Sequence, residues 1–482
     1  MSWEPVIGIE VHVELNTDSK MFCGCEVAFG AEPNTRTCPT CLGLPGALPV
    51  PNEKAMDSII AIGLALNCSV SPQSVFHRKN YFYADLPKNY QISQFDIPVC
   101  VDGYLDTNVD GEVLRVGIER AHMEEDTGKS THIGDGGRIH AAQATWLDFN
   151  RSGVPLVEIV SRPDIHSAAQ ARAYAQSLRV IVAELGVSDA RLEEGSIRFD
   201  ANISIRPTGD EKLGTKVEIK NMNSFRSLER AVDYEIHRQI ELSESGSSIV
   251  QETRHWDEEA GVTSSMRSKE GSSDYRYFTE PDLVPMVMGA EWISRIRATL
   301  PELPAAREDR YLADGLDGSL ARILSGSDRP VRSLYEASVR GGADPRKAAN
   351  WVTGEITAWL RRTETEPADL PLTANQLVEL LGMMDDGVVS SSAGKEVLVG
   401  VLAGEGDPAD VARSRDLVQI SDTGALEEVV DRVLEENPDA LESLRSGEEK
   451  VLGFLVGQVM RASQGKADPM KVNEILRSRS DR

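Results

Sequence analysis

Long apolar runs are missing from this 482-residue chain. None approaches 18 residues, so no segment reads as a membrane span. Basic residues are in deficit, 51 Lys and Arg against 77 Asp and Glu, and the net charge of −26 argues against non-specific nucleic-acid binding and against DNA as a partner. There are only six cysteines, and MSWEPVIGIE carries no basic and apolar leader. The expectation is therefore a cytoplasmic, reducing setting without structural disulfides. Internal repeats and low-complexity tracts are absent too. A phosphate loop is missing despite a decoy: Gly128-Lys129-Ser130 would need glycine at 123, where Met123 stands, and Glu124, Glu125 and Asp126 would crowd a phosphate. What remains is an ordinary globular composition, 40% hydrophobic and 27% charged, with length for about two to four domains.

The most telling feature present is VIGIEVHVEL at 6–15. Ile7, Ile9, Val11, Val13 and Leu15 share one strand face, and Gly8, Glu10, His12 and Glu14 share the other. A face carrying carboxylate, imidazole and carboxylate offers cation ligands and proton acceptors. The habit recurs: Arg198, Asp200, Asn202, Ser204 and Arg206 alternate with apolar residues in IRFDANISIR, and Lys216, Glu218 and Lys220 do so in TKVEIKN. HMEEDTGKSTH (His122 to His132) adds three consecutive acids. A half-solvated structural sheet also alternates in this way. Three strands sharing one chemistry point instead to a cradle for a metal and a phosphorylated ligand.

Texture divides the chain into three. Residues 1–294 read as an α+β cradle: strands at 6–15, 114–121, 155–160, 197–206 and 215–220 form an antiparallel sheet, with helices inserted from Ser167 to Leu185 and from Phe225 to Leu242. Residues 295–406 read as an all-helical domain, with helices expected at 308–324, 331–341, 345–362, 373–386 and 392–404. Residues 407–482 read as a small helical tail, with helices at 424–436, 438–445, 447–463 and 468–478. From Val451 to Arg482 the tail holds six basic and three acidic residues, a local excess of positive charge in an acidic chain.

The loop 21–45 contains Cys23-Gly-Cys25 and Cys38-Pro-Thr-Cys41 among turn-forming glycines and prolines. Two short-spaced pairs closed by a loop suit a tetrahedral thiolate site, so Cys23, Cys25, Cys38 and Cys41 are expected to bind structural Zn²⁺, with four plain reduced thiols as the alternative. Cys68 and Cys100 stand in apolar company and read as core.

Taken together with FHRKNYFYADLPKNYQISQFDIP (76–98), RSGVPLVEIVS (151–161), EEGSIRFDANIS (193–204), KVEIKNMNSF (216–225), SSDYRYFTEPDLVP (272–285) and GFLVGQVMRASQGKADP (453–469), these strings resemble one family over nearly the whole chain. It is the B subunit of the aspartyl/glutamyl-tRNA(Asn/Gln) amidotransferase. The resemblance implies a carbon–nitrogen ligase working in a heterotrimer with an amidase subunit and a small third subunit. ATP phosphorylates the side-chain carboxylate of Glu-tRNA(Gln) or Asp-tRNA(Asn), and ammonia released from glutamine by the amidase then displaces phosphate. It also implies a cradle, a helical domain and a tail that grips misacylated tRNA. On the family's acidic face fall Glu10, His12, Glu124 and Glu125, expected to hold Mg²⁺, with His12 the unusual ligand that could act through water. Lys79, Tyr81 and Lys88 would meet phosphate or the aminoacyl end, and Asp200, Asn202, Glu218 and Lys220 would complete the polar face. Phosphoryl transfer needs charge neutralisation and alignment, which this residue set provides.

Two rival classes remain open to the residues alone. A metal-dependent phosphohydrolase using His12, Glu124 and Glu125 would release phosphate without tRNA. A non-catalytic tRNA-binding adaptor would grip phosphate with the sheet, but an anion platform would carry few carboxylates.

Overall fold

The computed structural model describes all residues except 1, 29, 134–142, 267–274, 420–422, 447–449, 464–465 and 481–482. Residues 272–274 of the 272–285 string, 447–449 of an expected tail helix, 464–465 of the 453–469 string, and Arg482 lie outside the described residues.

The chain divides into two compact units, Met1–Leu303 and Pro304–Arg482. The first is built on a nine-stranded sheet. In spatial order its strands are Val262–Ser265, Thr253–Asp257, Val217–Lys220, Ile197–Pro207, Trp3–Glu14, Pro155–Ser161, Glu112–Glu125, Cys100–Val109 and Ser69–Val70. Every neighbouring pair is antiparallel except Val217–Lys220 with Thr253–Asp257, which is parallel.

The alternation in the first strand sets the layers. Ile7, Ile9, Val11 and Val13 are fully buried, while Gly8, Glu10, His12 and Glu14 are only partly so. The apolar face joins one core with Leu178 and Val182 of the helix Ala168–Glu184 and with Leu228 and Val232 of the helix Phe225–Glu244. Both helices begin as the sequence implies: Ser167 and Ser224 accept hydrogen bonds from the Gln170 and Ser227 backbone N–H groups. Covering one face with helices leaves the other for chemistry.

A third helix, Glu53–Ala65, and the strand Cys100–Val109 were not expected. Ile59, Ile60 and Ile62 are all fully buried, and the less buried stripe Glu53, Asp57, Ala61 and Leu64 itself carries two apolar residues. Asp102 and Gly103 interrupt the alternation of the strand.

In the second unit the expected helix 308–324 is two, Pro304–Ala313 and Gly318–Ser325. Gly315 between them adopts φ +92°, and Asp317 starts the second by accepting from the Ser319 and Leu320 N–H groups. The expected helix 345–362 does run through, with a π-helical turn at Val352–Ile356. This unit holds two separate buried clusters. One runs from Tyr311 to Ala412, so the helix Pro408–Ser414 packs into it through Val411 and Ala412; the other runs from Leu426 to Leu476.

Candidate active site

Strand register assembles the polar face. Opposite His12 stand Glu158 on one side and Arg198 on the other; His122 is opposite Glu158, and Asp200 is opposite Glu10. The row His122–Glu158–His12–Arg198 therefore crosses four adjacent strands. His12 Nε2 lies 3.7 Å from both Glu124 Oε1 and Glu158 Oε2, and His122 Nε2 lies 3.3 Å from Glu158 Oε2. One donor atom from each of His12, Glu124 and Glu158 falls within 4.8 Å of the others.

Electrostatics tie the cluster together. Burial pulls the His12 imidazole down, but its hydrogen bond to Glu158 and the fields of Glu124, Glu158 and Asp200 outweigh this and push it up to about 9. Burial raises Glu158, yet the His122 and His12 imidazoles beside it hold its carboxyl well below the usual range. Glu10 moves the other way, raised by burial and then by the neighbouring Glu158, Glu218 and Asp200 carboxylates. Its Oε1 accepts from Asn202 Nδ2 at 2.9 Å.

Cations flank this acidic centre. Lys220 Nζ lies 2.7 Å from Asp200 Oδ2 and 3.0 Å from Glu218 Oε1, and Glu218 also accepts from the Thr253 hydroxyl at 2.7 Å. Lys79 sits 5.0 Å over the ring of Tyr275, which Tyr81 meets edge-on at 6.0 Å. His12, Lys79, Tyr81, Glu124, Asp200 and Lys220 all line one open cleft of about 560 Å³, a size common for small-molecule sites. A recess of about 470 Å³ adjoins it, bounded by Glu10, Asn202 and Lys216.

Lys88 and Glu125 stand apart from that cleft. Glu124 and Glu125 are consecutive on one strand, so their side chains leave opposite faces. Glu125 forms an ion pair with Lys88 and accepts from the Ile92 N–H at 2.9 Å, with both charged side chains almost fully buried. These two line a second cavity of about 190 Å³ whose wall is the cysteine loop, including Cys41 and Gly43. Gly43 is held at φ +67°, and a Cβ there would lie 2.4 Å from Lys88 Cγ, so only glycine lets the loop approach Lys88 this closely.

The four cysteines do come together: the Sγ atoms of Cys23, Cys25, Cys38 and Cys41 all fall within 4.8 Å of one another. A tetrahedral site with Zn–S bonds of about 2.3 Å would separate its sulfurs by about 3.8 Å, so the donor set fits that metal. Hydrogen bonding from Cys23 pulls Cys41 well below the ordinary thiol range against the desolvation of its site.

Sequence reasoning assigned no role to Glu158, His122 or Arg198. Glu158 is a lone acid in an otherwise apolar strand, and only strand pairing reveals that it faces His12.

Comparison with known proteins follows the same lines. Residues 5–294 match the family model described as GatB/GatE catalytic domain, and residues 333–479 match the GatB domain. The chain belongs to this family of amidotransferase B subunits. It is 49% identical over 478 residues to the B subunit of the aspartyl/glutamyl-tRNA(Asn/Gln) amidotransferase from Carboxydothermus hydrogenoformans, covering 99% of this chain and 98% of that protein. Its identity to the corresponding proteins of Geotalea uraniireducens and Moorella thermoacetica is 50%, covering 99% of this chain and 99% and 100% of theirs. The cleft and the cysteine loop both lie inside the segment matched by the catalytic-domain model.

Proposed function

We propose that this chain is the carboxylate-activating subunit of a tRNA-dependent amidotransferase, acting on the side chain of Glu-tRNA(Gln), Asp-tRNA(Asn) or both. The observation that carries the reading is the cleft, where His12, Glu124 and Glu158 meet beside Lys79, Arg198 and Lys220. The family is associated with an ATP-dependent reaction.

In the first step a carboxylate oxygen of the esterified amino acid attacks the γ-phosphorus of ATP, and ADP leaves. In the second, ammonia attacks the acyl carbon, phosphate leaves, and the nitrogen gives up a proton to become the amide. Glu124 and Glu158, with His12 alongside, would hold Mg²⁺, which when bound neutralises phosphate charge. Glu10 stands next to that group, tied to Asn202 and opposite Asp200. Lys79 and Lys220 supply positive charge from two sides of the cleft, and transferring a phosphoryl group rests mainly on such alignment and charge. The Asp200 and Glu218 carboxylates hold the Lys220 ammonium in place and keep it protonated, raising it above its ordinary range against desolvation. Tyr81, beside Lys79, borders the place for the aminoacyl end. Lys88 and Glu125 act from the opposite side of the same strand, in the smaller cavity. Two adjoining recesses suit a reaction with two substrates.

Further parts of the reading are an amidase subunit and a small third subunit as partners, tRNA gripped through a tail domain of residues 407–482, and Zn²⁺ on the four cysteines. Work in the cytoplasm fits a chain in which no described helix is long and apolar enough to cross a membrane.

The test is ATP cleavage by the assembled complex with and without misacylated tRNA. Cleavage that requires misacylated tRNA supports the reading. Metal-dependent phosphate release without tRNA would favour a phosphohydrolase, and tRNA binding with no ATP turnover would favour an adaptor.

A further inference from the structure

Lys20 is among the most deeply buried side chains of the first unit, only 1% exposed. A buried ammonium is costly unless an anion or several acceptors meet it. Its Nζ lies 3.7 Å from Cys41 Sγ and 3.2 Å from the Phe149 carbonyl oxygen. Among the described residues no carboxylate forms an ion pair with it, so its counter-charge is sulfur. Cys41 is itself the most buried of the four cysteines.

The backbone fixes this meeting. Lys20 N–H donates to the Cys25 carbonyl at 3.0 Å, and Met21 N–H donates to the Gly153 carbonyl at 2.7 Å. Lys20 therefore starts the cysteine loop while its side chain turns back beneath it. Gly153, at φ +90° in the left-handed region, stands beside this slot: a Cβ there would make ordinary contacts of 3.5 Å with Lys20 Cδ and Cys41 Cβ. Within it the buried Lys20 side chain reaches the sulfur of Cys41 with its head.

Charge gives the arrangement a purpose. Four thiolates around one divalent ion carry two excess negative charges, and burying that excess against a protein wall is unfavourable. We infer that Lys20 is a positioning and charge-balancing partner of the four-cysteine metal site, its ammonium donating to the Cys41 thiolate and cancelling one excess charge. It touches sulfur and not the metal. The inference rests on the reading that Zn²⁺ occupies this site. It makes the cysteine loop, Lys20 and the wall of the Lys88–Glu125 cavity one connected unit, because Lys20 and Cys41 both line that cavity.

The experiment uses the full chain in its complex. Zinc content is measured first by elemental analysis, then zinc affinity by competition with a chromogenic chelator, for wild type, Lys20→Met, Lys20→Gln and Lys20→Arg. Lys20→Met keeps the packing and removes the charge, and partners of metal ligands typically change affinity about 10- to 100-fold, so that loss is expected for it and for Lys20→Gln. Lys20→Arg should restore most of it. In the cobalt-substituted protein the thiolate-to-metal charge-transfer band should move to lower energy in Lys20→Met, because an unbonded thiolate is easier to oxidise. Wild type without zinc would refute the metal reading itself. Zinc-loaded wild type with equal affinity in all variants would overturn the role of Lys20 alone. If Lys20→Met does not fold, Lys20→Arg against Lys20→Gln decides the same question, and equal values for those two overturn the charge-balancing role.

Discussion

Replacing Glu158 with glutamine tests the cleft most directly. The change keeps the shape of the side chain and removes one of the three groups that converge at His12. Glu158 is largely buried and lies 3.7 Å from His12 Nε2 and 3.3 Å from His122 Nε2. At an effective dielectric near 20, a unit charge pair 3.7 Å apart interacts by about 4.5 kcal/mol, an upper figure for the attraction lost to a protonated His12. Losing one preorganised electrostatic group in an active site typically costs about 3–4 kcal/mol in the transition state, or roughly 10²- to 10³-fold. Glu158→Gln should therefore lower kcat/KM for ATP-dependent activation of misacylated tRNA by about that factor and raise the Mg²⁺ concentration needed for half-maximal rate. tRNA binding should stay close to wild type, since the Glu158 side chain is buried beneath His12 and presents almost no surface to a large ligand. The assay is single-turnover phosphate transfer across a Mg²⁺ titration, with tRNA affinity measured in parallel. An unchanged Mg²⁺ requirement together with a near-normal rate would show that the metal is held elsewhere, and the assignment of His12, Glu124 and Glu158 would fall together.

Glu125→Gln supplies a contrast: it breaks the Lys88 ion pair in the smaller cavity, so amide formation should drop without recovery at high Mg²⁺, whereas Glu124→Gln should respond to added metal. His12 predicts a pH effect on the metal-free protein. Its folded-state value near 9 exceeds the ordinary 6.5, so its stabilising contribution is complete below pH 6.5 and lost as pH rises through 9. Thermal melts in chelator should show that decline, and His12→Gln should flatten it. Changing Cys38 and Cys41 to serine should remove about one zinc per chain and lower Tm, because metal binding energy is folding energy; elemental analysis and calorimetry check both. Truncation after Leu417 leaves Val411 and Ala412 in their cluster while removing the cluster that runs from Leu426 to Leu476. It should raise KM for aminoacyl-tRNA and flatten the salt dependence of binding, as filter-binding titrations at several salt concentrations would show.

Much of the polar face was legible because alternation is a local property. Glu10, His12, Asp200, Asn202, Glu218 and Lys220 could be put on one face from the two-residue period alone, and strand pairing confirms that Glu10 meets Asp200 and that Asn202 meets Glu218. The same period, applied to HMEEDTG, separates Glu124 from Glu125, and the structure sends them to different cavities. Glu158 was out of reach for another reason. Its importance comes from lying across from His12, nearly 150 positions away in sequence, and register between distant strands is not written in either strand separately. Lys20 is similar, since nothing beside it in sequence marks a lysine that will be buried against sulfur. The helix Glu53–Ala65 escaped because the less buried stripe that follows its helical period carries apolar Ala61 and Leu64 beside Glu53 and Asp57, which blurs the polar face.

The strand Glu112–Glu125 sends consecutive residues, Glu124 and Glu125, into two different compartments, and this makes chain length there a functional variable. Sliding it by a single residue against Pro155–Ser161 would put Glu125 in the place of Glu124 near His12 and Asp126 in the place of Glu125 near Lys88, changing the occupants of both chambers without altering any side chain. A lone insertion or deletion between Val113 and His122 would therefore rewire the enzyme, whereas multi-residue substitutions on the outer part of the same strand would leave it intact. The hairpin tip at Asp110 and Gly111, both in left-handed conformation, is where added length can be absorbed before that reading frame begins. Evolutionary and engineered length changes should collect at the tip and be purged from the strand.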